Sequence, residues 1–501
     1  MRLVDLRDRL DRTSQAFFRF RRLGPDRTLI TNAEGRWLVL TDAEFEAYAT
    51  GTVAEGGELH SRLSDENFLR ATWDEAKARA MIAKRKEFLG YGPNLHVMVV
   101  TLRCNETCVY CHASRADMDA THTDMTPEIA EKAVDLAFQS TSPAITIEFQ
   151  GGEPLVRFDL VKHIVEYAKA KNETAQKQLE LTMVSNLALM DDEKLGFLLD
   201  HKVQICTSID GPKDVHDKQR KLPMASAWDA ATGWIKTINQ EYAARGLDPS
   251  LYHVEALVTT TRALLDRPKE LVDTYAELGC RAMFLRPIDP FGFASQTAKI
   301  VEYPRADYQR FYAEATDYIL ELNRQGTQMI ERYAAIFLTK ILRGEDPNFL
   351  DLRSPAGAGI SMLAYSYDGD VYTCDEGRML AAQGDHTFRL GNVFESKYRD
   401  LVGHPTVRAM VIASNLDSQP DCVDCTYQPY CGIQTTHNHK TQGSIFGRMR
   451  ESNICAVHKG IQDYLFGKLA DGEPHVLEAF ERWTTVRNRE HFLHDGGGTA
   501  V

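Results

Sequence analysis

The stretch TLRCNETCVYCHAS, residues 101–114, places Cys104, Cys108 and Cys111 within eight positions, spaced C-x3-C-x2-C with no fourth cysteine close by. Three thiols so arranged belong to a disulfide framework, a zinc knuckle or an iron–sulfur centre, and the composition begins to separate these. The chain has 501 residues, 43% apolar and 26% charged, an ordinary soluble globular balance with length for about two to four domains. Its opening, MRLVDLRDRLDRTSQ, is charged and lacks the apolar core of a secretion signal, and no apolar run is long enough to span a bilayer. A cytoplasmic enzyme is expected. In that reducing compartment ten cysteines serve as metal ligands or buried thiols rather than disulfides. A net charge of −13, from 58 basic and 71 acidic residues, disfavours binding to nucleic-acid phosphates.

Structural zinc takes four closed ligands, usually as paired short-spaced cysteines. Here the triad stands alone, and His112 directly after it is badly placed to complete a tetrahedron. Three thiolates instead suit a cubane cluster with one iron left open for a substrate or cofactor. With Tyr110 before the last cysteine, the segment resembles the signature of the radical S-adenosylmethionine (SAM) enzymes.

The flanking sequence reads as alternating strands and helices. LHVMVVTL (95–102), AITIEF (144–149), LELTMV (179–184), VQICTSI (203–209), LYHVEALV (251–258) and RAMFL (281–285) are the expected strands, each too buried to show polar alternation. Helical patterns such as PEIAEKAVDLAFQ and ASAWDAATGWIKTINQEYAA lie between them. This is a parallel α/β pattern. The resemblance implies a partial (β/α)6 radical SAM barrel whose site is built by loops at the strand C-terminal ends.

Those loops carry further motifs. QGGEPL supplies Gly151, Gly152, Glu153 and Pro154, which read as a glycine turn or, by resemblance, as the segment receiving the SAM amino group. VSNLAL presents Ser185 and Asn186, for which the resemblance implies ribose contact. SIDGPKDVHDKQR resembles a stretch found in peptide-modifying members, making Ser208 and Arg220 candidates for the SAM carboxylate. Tyr110 joins this cofactor-binding set. Arg220 also reads as a solvated helix charge, and Asp210 and His216 as turn braces.

A second set, Cys422, Cys425, Cys431 and Cys455, follows C-x2-C-x5-C-x23-C, with Gly369 and Cys374 upstream as G-x4-C. Together these resemble the SPASM extension, which holds two auxiliary clusters with seven cysteines. Ser354 and Thr435 stand where two of those cysteines belong, so the first auxiliary cluster is expected to be missing. The retained four imply one fully ligated [4Fe-4S] cluster suited to electron transfer. Zinc is the competitor, with His437 or His439 joining or replacing a ligand. Cys206 and Cys280 read as inert core thiols. Cys374 reads as a buried remnant or a hydrogen-atom donor. Asp375 after it matches the proton acceptor of sulfatase-maturing relatives, or is an ordinary salt-bridge aspartate.

Near the start, RTLITNAEGRWLVLTDAEFEAYATG reads as two strands across an Asn-Ala-Glu-Gly turn, then a helix capped by Thr41 or Asp42. This resembles the winged-helix elements that bind precursor-peptide leaders by β-addition, and reads equally as a cover for the barrel. The expected division is 1–90 for this N-terminal domain, 91–300 for the barrel, 301–350 for a helical bridge, 351–485 for the SPASM-type domain and 486–501 for a flexible tail. Over its length the chain resembles radical SAM/SPASM peptide maturases. TLITNAEGRWLVLT and LRPIDPFGFA (285–294) resemble segments of the His-Xaa-Ser-system maturases. The resemblance implies two [4Fe-4S] clusters, SAM cleavage to a 5′-deoxyadenosyl radical, a precursor-peptide substrate that is crosslinked or epimerised, and a flavodoxin or ferredoxin reductant. The alternatives are oxidation of a residue in a folded protein, and a non-catalytic iron–sulfur or zinc binding protein.

Overall fold

The computed structural model describes residues 10–11 and 13–485; the tail expected over 486–501 lies outside the described residues. The six expected strands form parallel neighbours in chain order: Leu95–Thr101, Ala144–Gly151, Gln178–Val184, Gln204–Ser208, Glu255–Thr259 and Leu285–Arg286. Helices return the chain between most of them, and several are started by a local signal. Thr126 caps Pro127–Ala137 with proline in its first turn, Asp191 caps Asp192–Asp200, and Ser226 caps Ala227–Ala244. Their apolar faces, such as Ile129, Ala133 and Val134 or Val161, Ile164 and Val165, pack on one side of the sheet. Each such side chain contributes about 1.5–3 kcal/mol of burial.

Leu95–Thr101 is buried along its length, as expected, but the four strands that follow it alternate. In Ala144–Gly151 the odd positions Ile145, Ile147 and Phe149 are buried against the helices, while Thr146, Glu148 and Gln150 are only partly buried on the opposite face. Gln178–Val184 and Gln204–Ser208 alternate likewise. The inner face therefore carries a polar network: Thr182 and Gln150 donate to Glu148, and Thr146 donates to Glu180. A core filled only by hydrocarbon would need no such alternation; a face that stays wet does.

Two expected strands are also shorter than their sequence patterns. Leu251 and Tyr252 hydrogen bond back to Asp248, so the fifth strand begins at Glu255. RAMFL splits: Ala282–Met283 pairs with Ile330–Glu331, and Leu285–Arg286 pairs with the fifth strand. Buried Glu331 sits at the split, accepting from Leu285 N (3.2 Å), Tyr312 Oη (2.6 Å) and Ala334 N (2.6 Å).

On its other side Leu95–Thr101 pairs in parallel with Met362–Tyr365, which turns through Gly369 into Asp370–Tyr372 and then Arg389–Asn392. The open barrel and the chain beyond 351 thus share one nine-stranded sheet. At the N-terminal end, Arg19–Gly24, Arg27–Thr31 and Trp37–Leu40 form an antiparallel sheet, followed by the helix Asp42–Thr50. The expected cap is Thr41, in a capping box with Glu44. This sheet rests on the second cysteine segment: Thr31 Oγ1 donates to Thr426 O (2.7 Å), Arg19 Nε to Val423 O (2.6 Å) and Tyr430 Oη to Gly35 O (3.0 Å). Among the described residues no helix is long and apolar enough to cross a membrane.

Candidate functional site

The triad loop leaves the first strand at Thr101 and is held from several directions. Arg103 forks onto Asp124 at 2.8 and 2.5 Å, and Cys104 N donates to Ala116 O. Thr107–Cys108 forms a short antiparallel ladder with Arg220–Lys221. Phe293 N donates to Cys111 O at 2.8 Å, and Thr297 Oγ1 to Val109 O at 2.6 Å. The loop is thus fixed by the barrel's first, fourth and sixth units together.

Polar hydrogens face its sulfurs. Glu106 N lies 3.4 Å from Cys104 Sγ, Asn186 Nδ2 3.9 Å from Cys104 Sγ, and Arg220 Nη1 3.9 Å from Cys108 Sγ. None of the three cysteines is in a disulfide. Burial pushes the Cys104 thiol up to about 12 and also raises Cys108 well above the ordinary thiol range, so these two thiols need a nearby cation, such as a metal, to lose their protons. Donors aimed at sulfur in an enclosed loop fit a thiolate-bound iron–sulfur cluster.

QGGEPL packs directly under this loop. Gly151 has φ +140°, and a Cβ there would lie 2.1 Å from Thr101 O. At Gly152 it would lie 2.2 Å from Arg103 O and 2.4 Å from Leu102 O. The glycines are therefore required by the triad loop's own backbone, in addition to any ligand. Gly152 N and Glu153 N donate to Thr101 O and Arg103 O, both at 2.8 Å. Pro154 then starts the turn Pro154–Arg157 that leads into the next helix. The buried Glu153 carboxylate accepts from Leu155 N, Ser185 Oγ (2.8 Å) and Asn186 N (2.7 Å). Burial raises it to about 7, and these bonds act against that rise.

Glu153 therefore ties the second strand end to the third, and Ser185 is occupied by that bond. Asn186 reaches the triad instead, its Nδ2 donating to Asn105 Oδ1 at 2.8 Å. Arg220 is not a solvated charge. Its Nε donates to buried Asp210 at 3.1 Å, its Nη1 lies 3.6 Å from Glu106, and its guanidinium stacks on Tyr110 at 5.4 Å. Tyr110 Oη also donates to Asp210, and His216 Nδ1 accepts from Asp210 N (3.1 Å). Asp210 and His216 thus brace the turn, as read from sequence. Ser208 ends the fourth strand, partly buried on the inner face. Asn105 and Glu106 were missed by sequence reasoning, because nothing in a three-cysteine motif marks the residues between the thiols.

The second set gathers around an apolar cavity lined by Cys422, Cys431 and Cys455 with Leu416, Ile433 and Met449. Cys425 N donates to Cys422 O (3.0 Å) in the same turn. Neither expected histidine joins it: His437 lies toward Asp289, and His439 Nε2 pairs with Asp385 at 2.6 Å. His458 is there instead, its Nδ1 3.8 Å from Cys431 Sγ and its Nε2 3.1 Å from Tyr333 Oη. The signal was available, since His458 follows Cys455 by three residues on one helix and shares its face. Among the described residues no three His, Cys, Asp or Glu side chains close in far enough to hold a single metal ion.

Ser354 Oγ accepts from Leu416 N, and buried Thr435 has its hydroxyl without a partner. Cys374 is buried, with Thr373 Oγ1 donating to its sulfur at 3.7 Å. Asp375 accepts from Arg378 Nε at 2.7 Å, and Arg378 Nη1 reaches Ala113 O at 3.2 Å, just beyond the triad. Cys206 lies partly buried on the inner face near Glu255 and Arg332, whereas Cys280 is buried in the core.

Residues 98–236 match the family model of the radical SAM superfamily. The cysteine-type anaerobic sulfatase-maturating enzyme of Clostridium perfringens is 22% identical over 380 residues, 73% of this chain and 94% of that protein. The serine-type enzyme of Bacteroides thetaiotaomicron is 23% identical over 388 residues, covering 71% and 86%. Among solved structures, native anSMEcpe with bound AdoMet superposes with TM-score 0.61 at 19% identity, covering 75% of this chain and 98% of that one. Streptococcus suis SuiB bound to precursor peptide SuiA gives 0.52 at 17%, covering 88% and 99%. These likenesses show a common α/β fold with a mostly parallel sheet. The segment 98–236, with the triad loop at its first strand end, is a radical SAM domain.

Proposed function

We propose that this protein is a radical SAM enzyme that oxidatively modifies a ribosomally made precursor peptide, by crosslinking or epimerisation. The observation that carries the peptide reading is the N-terminal antiparallel sheet docked on the second cysteine segment through Thr31, Arg19 and Tyr430. Its outer strand Trp37–Leu40 pairs, among the described residues, with no strand but Arg27–Thr31, although Val39 O accepts from Arg62 Nη2 at 3.2 Å. A free strand edge binds an extended peptide by main-chain hydrogen bonds. The winged-helix-like reading of residues 1–90 is part of this proposal, as are the division at 90, 300, 350 and 485 and a C-terminal SPASM-type domain.

In this reading Cys104, Cys108 and Cys111 hold a [4Fe-4S] cluster, with Tyr110, Gly151, Gly152, Glu153, Pro154, Ser185, Asn186, Ser208 and Arg220 around SAM. When bound, that pair supplies a 5′-deoxyadenosyl radical able to take a hydrogen atom from substrate. The chain's own residues then have three tasks. Glu153 and the glycines hold the strand ends together, Arg220 and Asn186 direct donors at the sulfurs, and the inner face keeps the target hydrogen close while excluding bulk water. Cys422, Cys425, Cys431 and Cys455 hold one auxiliary cluster. Its apolar wall and enclosed thiols suit electron transfer. Cys374 and Asp375 are the candidates for hydrogen-atom donation and proton acceptance. A cytoplasmic setting and a flavodoxin or ferredoxin reductant complete the proposal.

Two outcomes test it. Reconstituted protein should contain about eight irons per chain, in two four-iron clusters. Metal analysis finding near twelve shows ligands beyond the seven, and about four irons with one zinc makes the second set a zinc site. Co-expression with a small peptide encoded beside the protein should yield a peptide lighter by two hydrogens for a crosslink, or of unchanged mass with an inverted residue. A peptide altered in neither mass nor stereochemistry ends the peptide reading. The sulfatase-maturating names of the sequence relatives then favour the second reading, oxidation of a residue in a folded protein.

A further inference from the structure

Four polar side chains from three segments gather beside the triad loop without completing one another. Arg286 ends the sixth strand and Asp289 follows it; Asp351 lies in the turn Leu350–Leu352; Glu376 lies in the first turn of the helix Asp375–Ala381. The Arg286 and Asp289 side chains keep 37% and 16% of their surface exposed, and Asp351 and Glu376 are likewise neither fully buried nor fully exposed. The loop that carries Asp289 continues to Phe293, which is hydrogen bonded to Cys111. The cluster therefore adjoins the radical SAM site.

Its charges do not balance. Asp289, Asp351 and Glu376 share one guanidinium, Arg286, whose nearest approach to Asp289 is 3.7 Å. Asp375 has its own cation in Arg378, so it brings none to Glu376. Burial, then repulsion from Asp351, Asp375 and Asp289, pushes the Glu376 carboxyl up to about 7. Carboxylates crowded this way are stable only when a proton or an outside cation joins them.

A separate observation points to a ligand. His437 is 95% buried, at 5% exposure, and neither ring nitrogen has a hydrogen-bond partner. Its Nδ1 is aimed at Asp289 Oδ1 at 3.8 Å, too far for a hydrogen bond. Burial lowers its pKa, so it stands as a neutral imidazole with one nitrogen able to accept. A buried polar ring with nothing bound is costly unless a ligand donor reaches it. The donors do not converge closely enough for a single metal ion among the described residues. A ligand with several N–H donors on a flexible stem remains.

We infer that the recess formed by Asp289, Asp351, Glu376 and His437 is a specificity pocket for a cationic side chain, lysine or arginine, of the substrate peptide. The inference rests on the peptide reading above and adds to it the chemistry of one substrate position.

The test is a binding panel on reconstituted protein, using short alanine peptides that each carry one lysine, arginine, norleucine or glutamate. The lysine and arginine peptides should bind at least about tenfold more tightly than the norleucine peptide, with glutamate weakest. Asp351→Asn and Glu376→Gln should each remove most of that preference while leaving the melting temperature within a few degrees of wild type. Asp289→Asn serves if either variant fails to fold. Equal binding of lysine and norleucine peptides, no binding by any peptide, or a preference that survives in all folded variants overturns the pocket. None of these outcomes touches the co-expression result, and an unmodified co-expressed peptide sinks the peptide reading whatever the panel shows.

Discussion

Replacing Cys104, Cys108 and Cys111 together with alanine should reduce SAM cleavage to background and leave about four irons on the C-terminal cysteines. The expectation follows from ligand number. A cubane held by three thiolates leaves one iron open, whereas a cubane held by four has none. Seven cysteines stand in the two sets, so only the triad can provide the open position. The fold should survive. The three residues are partly buried in a loop, and that loop is also tied by the Arg103–Asp124 fork and by the ladder from Thr107–Cys108 to Arg220–Lys221. A Cys206→Ala, Cys280→Ala double variant is the control. Cys280 is core, Cys206 lies apart from both sets on the inner face, and the double variant should cleave SAM at close to the wild-type rate. Cleavage by the triple-alanine protein in a product assay for 5′-deoxyadenosine would remove the assignment of the triad.

The parts of this site that were legible in sequence are those written locally. The triad and QGGEPL each lie at one strand end, SIDGPKDVHDKQR runs from a strand end into the helix Lys213–Gln219, and the strand–helix period around them is regular. What was illegible depends on pairing across distance. Nothing near Met362–Tyr365 announces that it will add to Leu95–Thr101, more than 250 residues earlier. The neighbouring acids Asp375 and Glu376 look equivalent in sequence. Arg378, three positions beyond Asp375 on the same helix, takes Asp375 and leaves Glu376 facing Asp351. The polar inner face was legible in principle, since TIEFQ alternates polar and apolar residues. A reading of the strands as wholly buried hid it. Arg220, a candidate for the SAM carboxylate, could also be read as a solvated charge because the partners that bury it, Tyr110, Glu106 and Asp210, are 10 to 114 residues away.

Gly152→Ala should be nearly as damaging as the triad variant, through the backbone alone. The added methyl would lie 2.2 Å from Arg103 O, 2.4 Å from Leu102 O and 2.6 Å from Arg103 C, well inside contact distance. These are main-chain atoms of the triad loop and cannot rotate away as a side chain would. The second strand end must therefore move off the first, stretching the 2.8 Å bonds from Gly152 N and Glu153 N to Thr101 O and Arg103 O. Overpacking of this kind costs about 1–3 kcal/mol. Glu153 would carry the shift to Ser185 and Asn186, and so to the donors facing Cys104. A displacement of about 1 Å in a positioned site lowers rate roughly 100-fold. The variant should accordingly lose SAM cleavage by about that factor and lose the triad's share of the iron, while the C-terminal share stays. Gly196→Ala is the matched control. It lies inside the helix Asp192–Asp200 with nothing within 4 Å of the new methyl. That substitution should stabilise the protein by about 0.5–1 kcal/mol and leave cleavage unchanged. If Gly152→Ala instead keeps its full iron and its rate, the two loops are not coupled through this contact, and the paired glycines serve the ligand alone.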